Sequence, residues 1–310
     1  MAGIERILVV VDPTVDDSAA VQKAARVAHA FGAALELYVC DFSPELDAAR
    51  YFDTPTLAVA VEPVAARHQV HLDRIAAPLT ASGLKVATFV EFANPLHEGI
   101  LRRIGRSRPD LVVKDSHFHH GLRRALFTHA DWHLVRDCPV PLLLTKQAVW
   151  HAPVRIAAAV DPNHPADAGA NVDHALIDAA DTLARALATS PMVVHVFSSL
   201  NLISAEPGLA TAPLGTDLAA VEALRTLHRA QLEGLAARHG VAASDTHLLD
   251  GIVAHALPQF AADAELDVLV MGVIARGRLH DRFIGSTADR VLDRVGCDLL
   301  IVKPPGAQAA

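Results

Sequence analysis

Arg6-Ile7-Leu8-Val9-Val10-Val11-Asp12-Pro13 is a short apolar run closed by Asp-Pro, and Arg155-Ile156-Ala157-Ala158-Ala159-Val160-Asp161-Pro162 repeats it. An internal repeat of this kind outranks any single local pattern as a guide to architecture. The echo continues along the chain. A helical pattern follows each run, Ala19 to Phe31 in the first copy and Val172 to Leu187 in the second. Leu35-Glu36-Leu37-Tyr38-Val39 and Val193-Val194-His195-Val196-Phe197 come next. The copies also end alike. Asp110-Leu111-Val112-Val113-Lys114 matches Asp267-Val268-Leu269-Val270-Met271, and Pro141-Leu142-Leu143-Leu144-Thr145-Lys146 matches Asp298-Leu299-Leu300-Ile301-Val302-Lys303. From Asp110 to Lys146 the copies align without a gap.

Each copy therefore reads as β-α-β-α-β-α-β-α-β. The apolar runs are aliphatic, often β-branched and bounded by turns, as strands buried on both faces are. Helices alternating with them imply parallel strands joined by right-handed crossovers. The expected fold is α/β: two tandem, open, five-stranded parallel-sheet domains, at residues 1–147 and 154–305. The second helix of each copy is long, from Glu62 to Ser82 and from Leu218 to His239. The linker, Gln147 to Pro153, is too short to let the copies move freely, so they are expected to pack as an intrachain pseudo-dimer. The final strands, Pro141 to Lys146 and Asp298 to Lys303, lie at expected sheet edges and can satisfy one another.

Bulk composition narrows the class. The chain has 310 residues, 52% of them hydrophobic and 20% charged, which suits two globular domains. Lys plus Arg number 27 against 35 Asp plus Glu, a formal charge of -8. That sign disfavours nucleic acid and anionic membrane as partners. Cys40, Cys138 and Cys297 lie far apart and form no metal or redox spacing. They read as small core residues in a reducing compartment. No signal-peptide pattern opens the sequence, and no apolar run reaches the ~18 residues a membrane helix needs, so a soluble cytoplasmic protein is expected.

Ligands of open parallel sheets bind beyond the carboxyl ends of the strands, near the switch in strand order. Two segments there carry suggestive chemistry. One is the Asp after the first strand, Asp12 or Asp161. The other, in the second copy, is the loop from Met271 through Gly272, Val273, Ala275 and Gly285 to Ser286 and Thr287, followed by a helix from Ala288 to Val295. Small residues at Gly272, Ala275 and Gly285 let backbone N–H groups approach an anion. Ser286 and Thr287 add hydroxyls at a helix start, where the dipole favours negative charge. The loop fits neither a Walker nor a dinucleotide fingerprint. A plain glycine turn with Ser286 as an N-cap accounts for the same residues.

The loop resembles that of the universal stress protein family, whose motif is G-x2-G-x9-G-[S/T/N]. Gly272, Ala275 and Gly285-Ser286 fit that spacing, with Ala275 in place of the second glycine. The resemblance covers nearly all of residues 4 to 305 and is to the tandem type. It implies a Rossmann-like, adenine nucleotide alpha-hydrolase-like fold that binds ATP or a related adenine nucleotide, in the second domain only, with Mg2+ as the cation ATP would bring. It assigns Ala159 and Asp161 to the nucleoside, Val196 to the face of adenine, Met271, Gly272, Val273 and Ala275 to the ribose and phosphates, and Gly285, Ser286 and Thr287 to the phosphate tail. The methyl group of Ala275 narrows that loop. No nucleophile–base pair stands in register with it, so the expectation is a stress-responsive regulatory protein and no enzyme beyond weak ATP hydrolysis. Its partners would be an adenine nucleotide, an unidentified protein and, as a homodimer, a second copy. The alternative is a scaffold or chaperone-like stress protein whose loop is vestigial, holding a small apolar ligand or a metal.

In the first copy the motif positions are Asp115, Phe118, Thr128 and His129. An acid and a bulky ring replace two small residues, so no ATP is expected there. The same region carries His117, His119, His120, His129 and His133. With Asp115 or Asp131 they have the ligand types of a zinc-type site, but ordinary polar histidines account for the same residues, and in a chain with 18 histidines no metal site is expected. Arg102, Arg103, Arg106 and Arg108 read as a solvated helix end. Leu57 to Val61, at the start of the long helix, reads as core packing, with an apolar cavity as the less favoured alternative.

Overall fold

The computed structural model describes residues 3–15, 18–42, 54–116, 128–146, 148–162, 169–198, 218–273 and 286–303. The first repeat contains β1 (Arg6–Val10), α1 (Ala19–Phe31), β2 (Ala34–Asp41), α2 (Thr54–Ala81), β3 (Val86–Phe92), α3 (Leu96–Ser107), β4 (Leu111–Asp115), α4 (His129–Asp137) and β5 (Leu142–Thr145). The second contains β6 (Ile156–Ala159), α5 (Gly169–Ala186), β7 (Pro191–Phe197), α6 (Leu218–Arg238), β8 (Thr246–Asp250), α7 (Val253–Asp263), β9 (Val268–Gly272), α8 (Ser286–Arg294) and β10 (Asp298–Val302).

The aliphatic runs become the central strands because both their faces are covered. Every residue of β4 and β5 is buried, as are Ile7 to Val10. Helix α1 shows how punctuation fixes an element. Ser18 caps its start by accepting the Val21 N–H, and Gly32 ends it in the left-handed region at φ 69°. Its bounds are those the sequence pattern gives.

In the first repeat the strands are parallel in the order β3-β2-β1-β4-β5. In the second, β9-β6-β7-β8 are parallel. Compactness groups residues 298–301 with the first repeat and leaves 151–297 as the body of the other unit. Strand β10 accordingly pairs antiparallel with β5, Leu299 opposite Leu144 and Ile301 opposite Leu142. The two final strands do satisfy one another.

Three local readings are corrected. Helix α2 starts at Thr54 rather than Glu62 and runs through Pro63, which lies inside it. A proline there imitates a helix start, because its missing N–H and fixed φ suit that position. Leu57 to Val61 are thus within α2, and their side chains fall outside the description. Helix α8 begins at Ser286 rather than Ala288. The strand registers set Tyr38 opposite Val10 and Val194 opposite Ala159, so the counterpart of His195 is Val39 and that of Phe197 is Asp41. Comparing the two apolar runs by eye misses that offset of two.

Candidate functional site

In the second repeat β6 is flanked by β9 on one side and β7 on the other. Strand order reverses there, and a crevice opens beyond the carboxyl ends at such a point. The fold brings Ala159 and Asp161 from the end of β6 to that edge, Val196 from β7, and Met271, Gly272 and Val273 from β9. Met271 and Val273 are buried. The Asp161 side chain is 61% exposed at its rim. Ala275 and Gly285 lie outside the described residues. Ser286 and Thr287 open α8, and their side chains are likewise outside the description.

Gly272 has a packing reason of its own. A Cβ there would stand 3.0 Å from Val172 Cγ1 and 3.7 Å from Leu176 Cδ1. The first turns of α5 therefore lean directly on the β9 backbone, which only a residue without a side chain allows. The next residue of α5, Asp173, is buried, and its Oδ1 accepts the Asp161 backbone N–H at 3.0 Å. Sequence alone does not disclose Asp173, because the apolar period of this helix begins at Val172 and α5 extends further toward Gly169.

Beneath Asp161 sits a pair of histidines. His195 Nδ1 lies 3.0 Å from the Val160 carbonyl oxygen, and its Nε2 lies 2.8 Å from His228 Nδ1 on α6. The rings are nearly coplanar in tilt, with centroids 5.1 Å apart. Burial holds the His195 imidazole below its usual range, the Val160 carbonyl and Asp161 opposing and His228 adding to the effect. Burial also lowers His228, with Asp161 opposing. Phe197 lies against the His228 ring, and Arg225 stands over Phe197 while donating to Asp250. Nothing in the sequence pairs His228 with His195, since they lie on elements of different period.

The first repeat treats the same edge differently. Asp115, at the position of Gly272, is buried and accepts from Ser18 Oγ at 2.6 Å, the Ala20 N–H at 2.8 Å and Thr145 Oγ1 at 2.7 Å. An internal carboxylate thus occupies the start of α1, where an external anion would otherwise be favoured. Lys114 binds the Asp115 carbonyl and the buried Asp131 carboxylate, which forms a capping box with Thr128 at the start of α4. Thr128, the counterpart of Gly285, is therefore a helix cap. At the rim Asp12 accepts from Thr14, and Asp41 bonds His68 at 2.7 Å.

Of the histidine group, His117, His119 and His120 lie outside the described residues, and His129 opens α4 with its side chain outside them. His133 stacks on His97 at 3.7 Å between centroids and accepts from Arg136. Among the described residues, no group of three or more His, Cys, Asp or Glu is placed to hold a metal. Arg102, Arg106 and Arg108 are exposed, as a solvated helix end should be, and Arg103 is the half-buried exception. Arg103 lies 3.5 Å over the Phe89 ring and bonds Glu36 at 2.6 Å, and Arg106 pairs with Glu91. Cys40, Cys138 and Cys297 are buried thiols, and none of them is in a disulfide among the described residues. Among the described residues no helix is long and apolar enough to cross a membrane.

Known proteins share this layout. The chain is similar to universal stress protein E of Photorhabdus laumondii, 24% identical across 99% of this chain and 97% of that protein. The same protein of Escherichia coli K12 is 26% identical across 98% of this chain and 95% of its own. Among solved structures, protein PA1789 of Pseudomonas aeruginosa PAO1, described as functionally unknown, superposes with a TM-score of 0.74 at 25% identity, covering 97% of this chain and 93% of that one. A universal stress protein from Archaeoglobus fulgidus has the same fold, with a TM-score of 0.65 at 13% identity over 98% of this chain and 99% of its own. The family pattern itself is matched twice, over residues 3–146 and 155–303, and the chain belongs to the universal stress protein family as a tandem of two such domains.

Proposed function

We propose that the protein is a stress-responsive regulator whose second repeat binds ATP or a related adenine nucleotide. The observation that carries this reading is the contrast at one position of the two sheets. Asp115 fills the edge of the first repeat with a buried carboxylate, whereas Gly272 leaves the same edge of the second without a side chain. Asp161 and Val196 would meet the nucleoside beside it. The loop from Gly272 to Ser286 would hold the phosphates, with Mg2+ as their counter-ion. The role is binding rather than catalysis. The bound state would be read by a protein partner or by a second copy of the chain, in the cytoplasm.

One observation favours a scaffold with a vestigial loop instead. Val172 is pressed on Gly272, and the buried Asp173 carboxylate is its chain neighbour, so this edge is tight and acidic. A direct test separates the two. Purified protein is denatured and the supernatant chromatographed for adenine nucleotide, and ATP is then titrated calorimetrically into the wild type and Gly285→Trp. Binding by the wild type that the variant loses supports the nucleotide reading. No released nucleotide, and no heat from either protein, leaves the scaffold reading.

A further inference from the structure

Strand β3 is the outer strand of the first repeat's sheet. Its odd-numbered residues bond inward to β2. The Lys85 carbonyl accepts the Leu35 N–H, and the Ala93 N–H donates to the Asp41 carbonyl. Val86, Thr88 and Val90 therefore turn their N–H and C=O groups outward. Those groups have no partner among the described residues. Both faces of the strand are covered. Gln69 on α2 donates to Thr88 Oγ1, and Arg103 on α3 lies over the Phe89 ring. The edge itself is bare, with Lys85, Ala87 and Phe89 exposed along it.

Sheet edges are normally blunted by shortness, proline, bulges or charge. The first three are missing here: β3 has 7 residues, none of them proline, and they pair one to one with β2. Its charges, Lys85 just before the strand and Glu91 near its end, do not guard it against a copy of itself. In an antiparallel pair about a two-fold axis at Thr88, residues equally far from Thr88 face one another. Thr88 meets Thr88 and Val86 meets Val90 through the outward N–H and C=O groups. Ala87 meets Phe89, small against large, and each Lys85 meets the partner's Glu91. Moving the axis to Ala87 sets Lys85 against Phe89, and moving it to Phe89 sets Lys85 against Ala93. Either shift breaks both ion pairs, so charge selects one register. Glu91 already accepts from Tyr38 and Arg106, but a carboxylate has about four acceptor sites and keeps room for a lysine. The Arg106 side chain is 63% exposed, so solvent screens its charge from that lysine. The outer strand of the second repeat, β8, lacks the pattern. A two-fold axis at Leu248 sets Thr246 against Asp250 and His247 against Leu249, with no opposite charges together.

We infer that β3 is an interaction surface for a second copy of this chain, the two strands pairing antiparallel about Thr88 with Lys85 of each against Glu91 of the other. Such a contact uses the same surface on both copies, so it closes at two. The pairing goes beyond the nucleotide reading and stands or falls separately from it.

The test is sedimentation velocity on the full chain from about 1 μM to about 0.1 mM, the range in which a small polar interface is populated. The wild type should pass from monomer to dimer. Lys85→Glu sets like charges opposite one another at both ends of the pairing. Lys85 is exposed, so this variant should keep the wild-type urea midpoint. Its dimer should be weaker by about tenfold or more, because opposite charges facing across strands stabilise and like charges oppose. Lys85→Arg should dimerise as the wild type does. Thr88→Pro removes the central outward N–H, a change that an edge strand tolerates, and should stay monomeric. The register is read by disulfide cross-linking. Ala87 and Phe89 would face one another as a non-hydrogen-bonded pair, with Cα atoms about 4.5 Å apart, within reach of a disulfide. An oxidised mixture of Ala87→Cys and Phe89→Cys should give the mixed dimer in excess of its statistical share. Three results would overturn the proposal: a wild type that is monomeric throughout, a dimer that Lys85→Glu or Thr88→Pro leaves as strong as before, or a mixed cross-link at no more than its statistical share.

Discussion

Lys23 and Asp298 stand 275 positions apart in the chain and 2.8 Å apart in space. Their side chains are 7% and 2% exposed. Lys23 also donates to the Lys146 carbonyl, and Asp298 accepts from the Lys146 N–H and from Trp150 Nε1, both at 2.7 Å. The first residue of the second repeat's last strand is thus fastened to α1, to the end of β5 and to the linker. Burial pushes the Asp298 carboxyl up, with Lys23 and the two donors opposing. The pair is costly to bury and costlier to halve.

Lys23→Met should therefore destabilise the protein strongly. Removing one partner of a buried ion pair costs about 3–5 kcal/mol, because the other charge stays behind. Urea unfolding followed by tryptophan fluorescence would show it, since Trp150 reports on this cluster directly. Arg26→Met is the comparison. Arg26 also lies 5.8 Å from the Trp150 ring but outside the ion pair. A cation–π contact is worth about 0.5–1 kcal/mol, and Arg26 is only half-buried, so its transition should shift less. Equal effects would mean that the ion pair is not what fastens the strand.

Asp115→Gly would give the first repeat the residue found in the second. On the present geometry it should weaken the domain and create no site. Ser18, Ala20 and Thr145 each lose an ionised acceptor, and hydrogen bonds to charged groups contribute about 1.5–3 kcal/mol. A loss of about 2–4 kcal/mol is expected after partial rehydration. The binding half of the prediction is read in a Gly285→Trp background, where only the first repeat could respond. ATP titration should show no heat. A gain of binding would mean that the carboxylate alone had been closing the edge.

The duplication, the parallel strands and the bounds of α1 were legible because apolar period and capping residues act locally, and here they agree. The offset between β2 and β7 was not. Leu35 to Val39 and Val193 to Phe197 look alike as apolar runs, but register is set by pairing with β1 and β6, which no run displays by itself. Asp115 was legible as an obstacle to phosphate but not as a helix anchor, since Ser18 and Thr145 reach it only through the fold. His228 was invisible for the same reason. Its partner lies on a strand, and its own helix has too weak an apolar face to say which side meets the sheet. The phosphate loop stays a sequence argument at Ala275 and Gly285.

Gly272→Ala tests whether α5 dictates the glycine. The new methyl would meet Val172 Cγ1 at 3.0 Å, and overpacking of this kind costs about 1–3 kcal/mol. Val172→Ala removes the obstacle at the price of a small cavity. The double variant should then be more stable than the sum of the two changes predicts, by about 0.5–3 kcal/mol for residues in contact. Urea midpoints of the four proteins close the cycle. Additivity would show that Val172 and position 272 do not press on one another.

Stability should fall on mild acidification. His195, His228 and His247 are all held below the ordinary imidazole value, burial being the largest cause for each. The unfolded chain then binds protons more readily than the folded one as pH drops through about 6.5. The stability that these neutral rings contribute is complete above that value and is lost progressively below it, toward their depressed folded values. A urea midpoint lower at pH 5.5 than at pH 7.5 is expected. Carboxylates titrate mostly lower, so the histidines should dominate this window. His247 packs against Phe260 at 5.0 Å between centroids, away from the β6–β7 edge. His247→Gln combined with His228→Phe should flatten the difference between the two midpoints, while His29→Gln should leave it unchanged. A full-sized difference in the combined variant would assign the acid response to other groups.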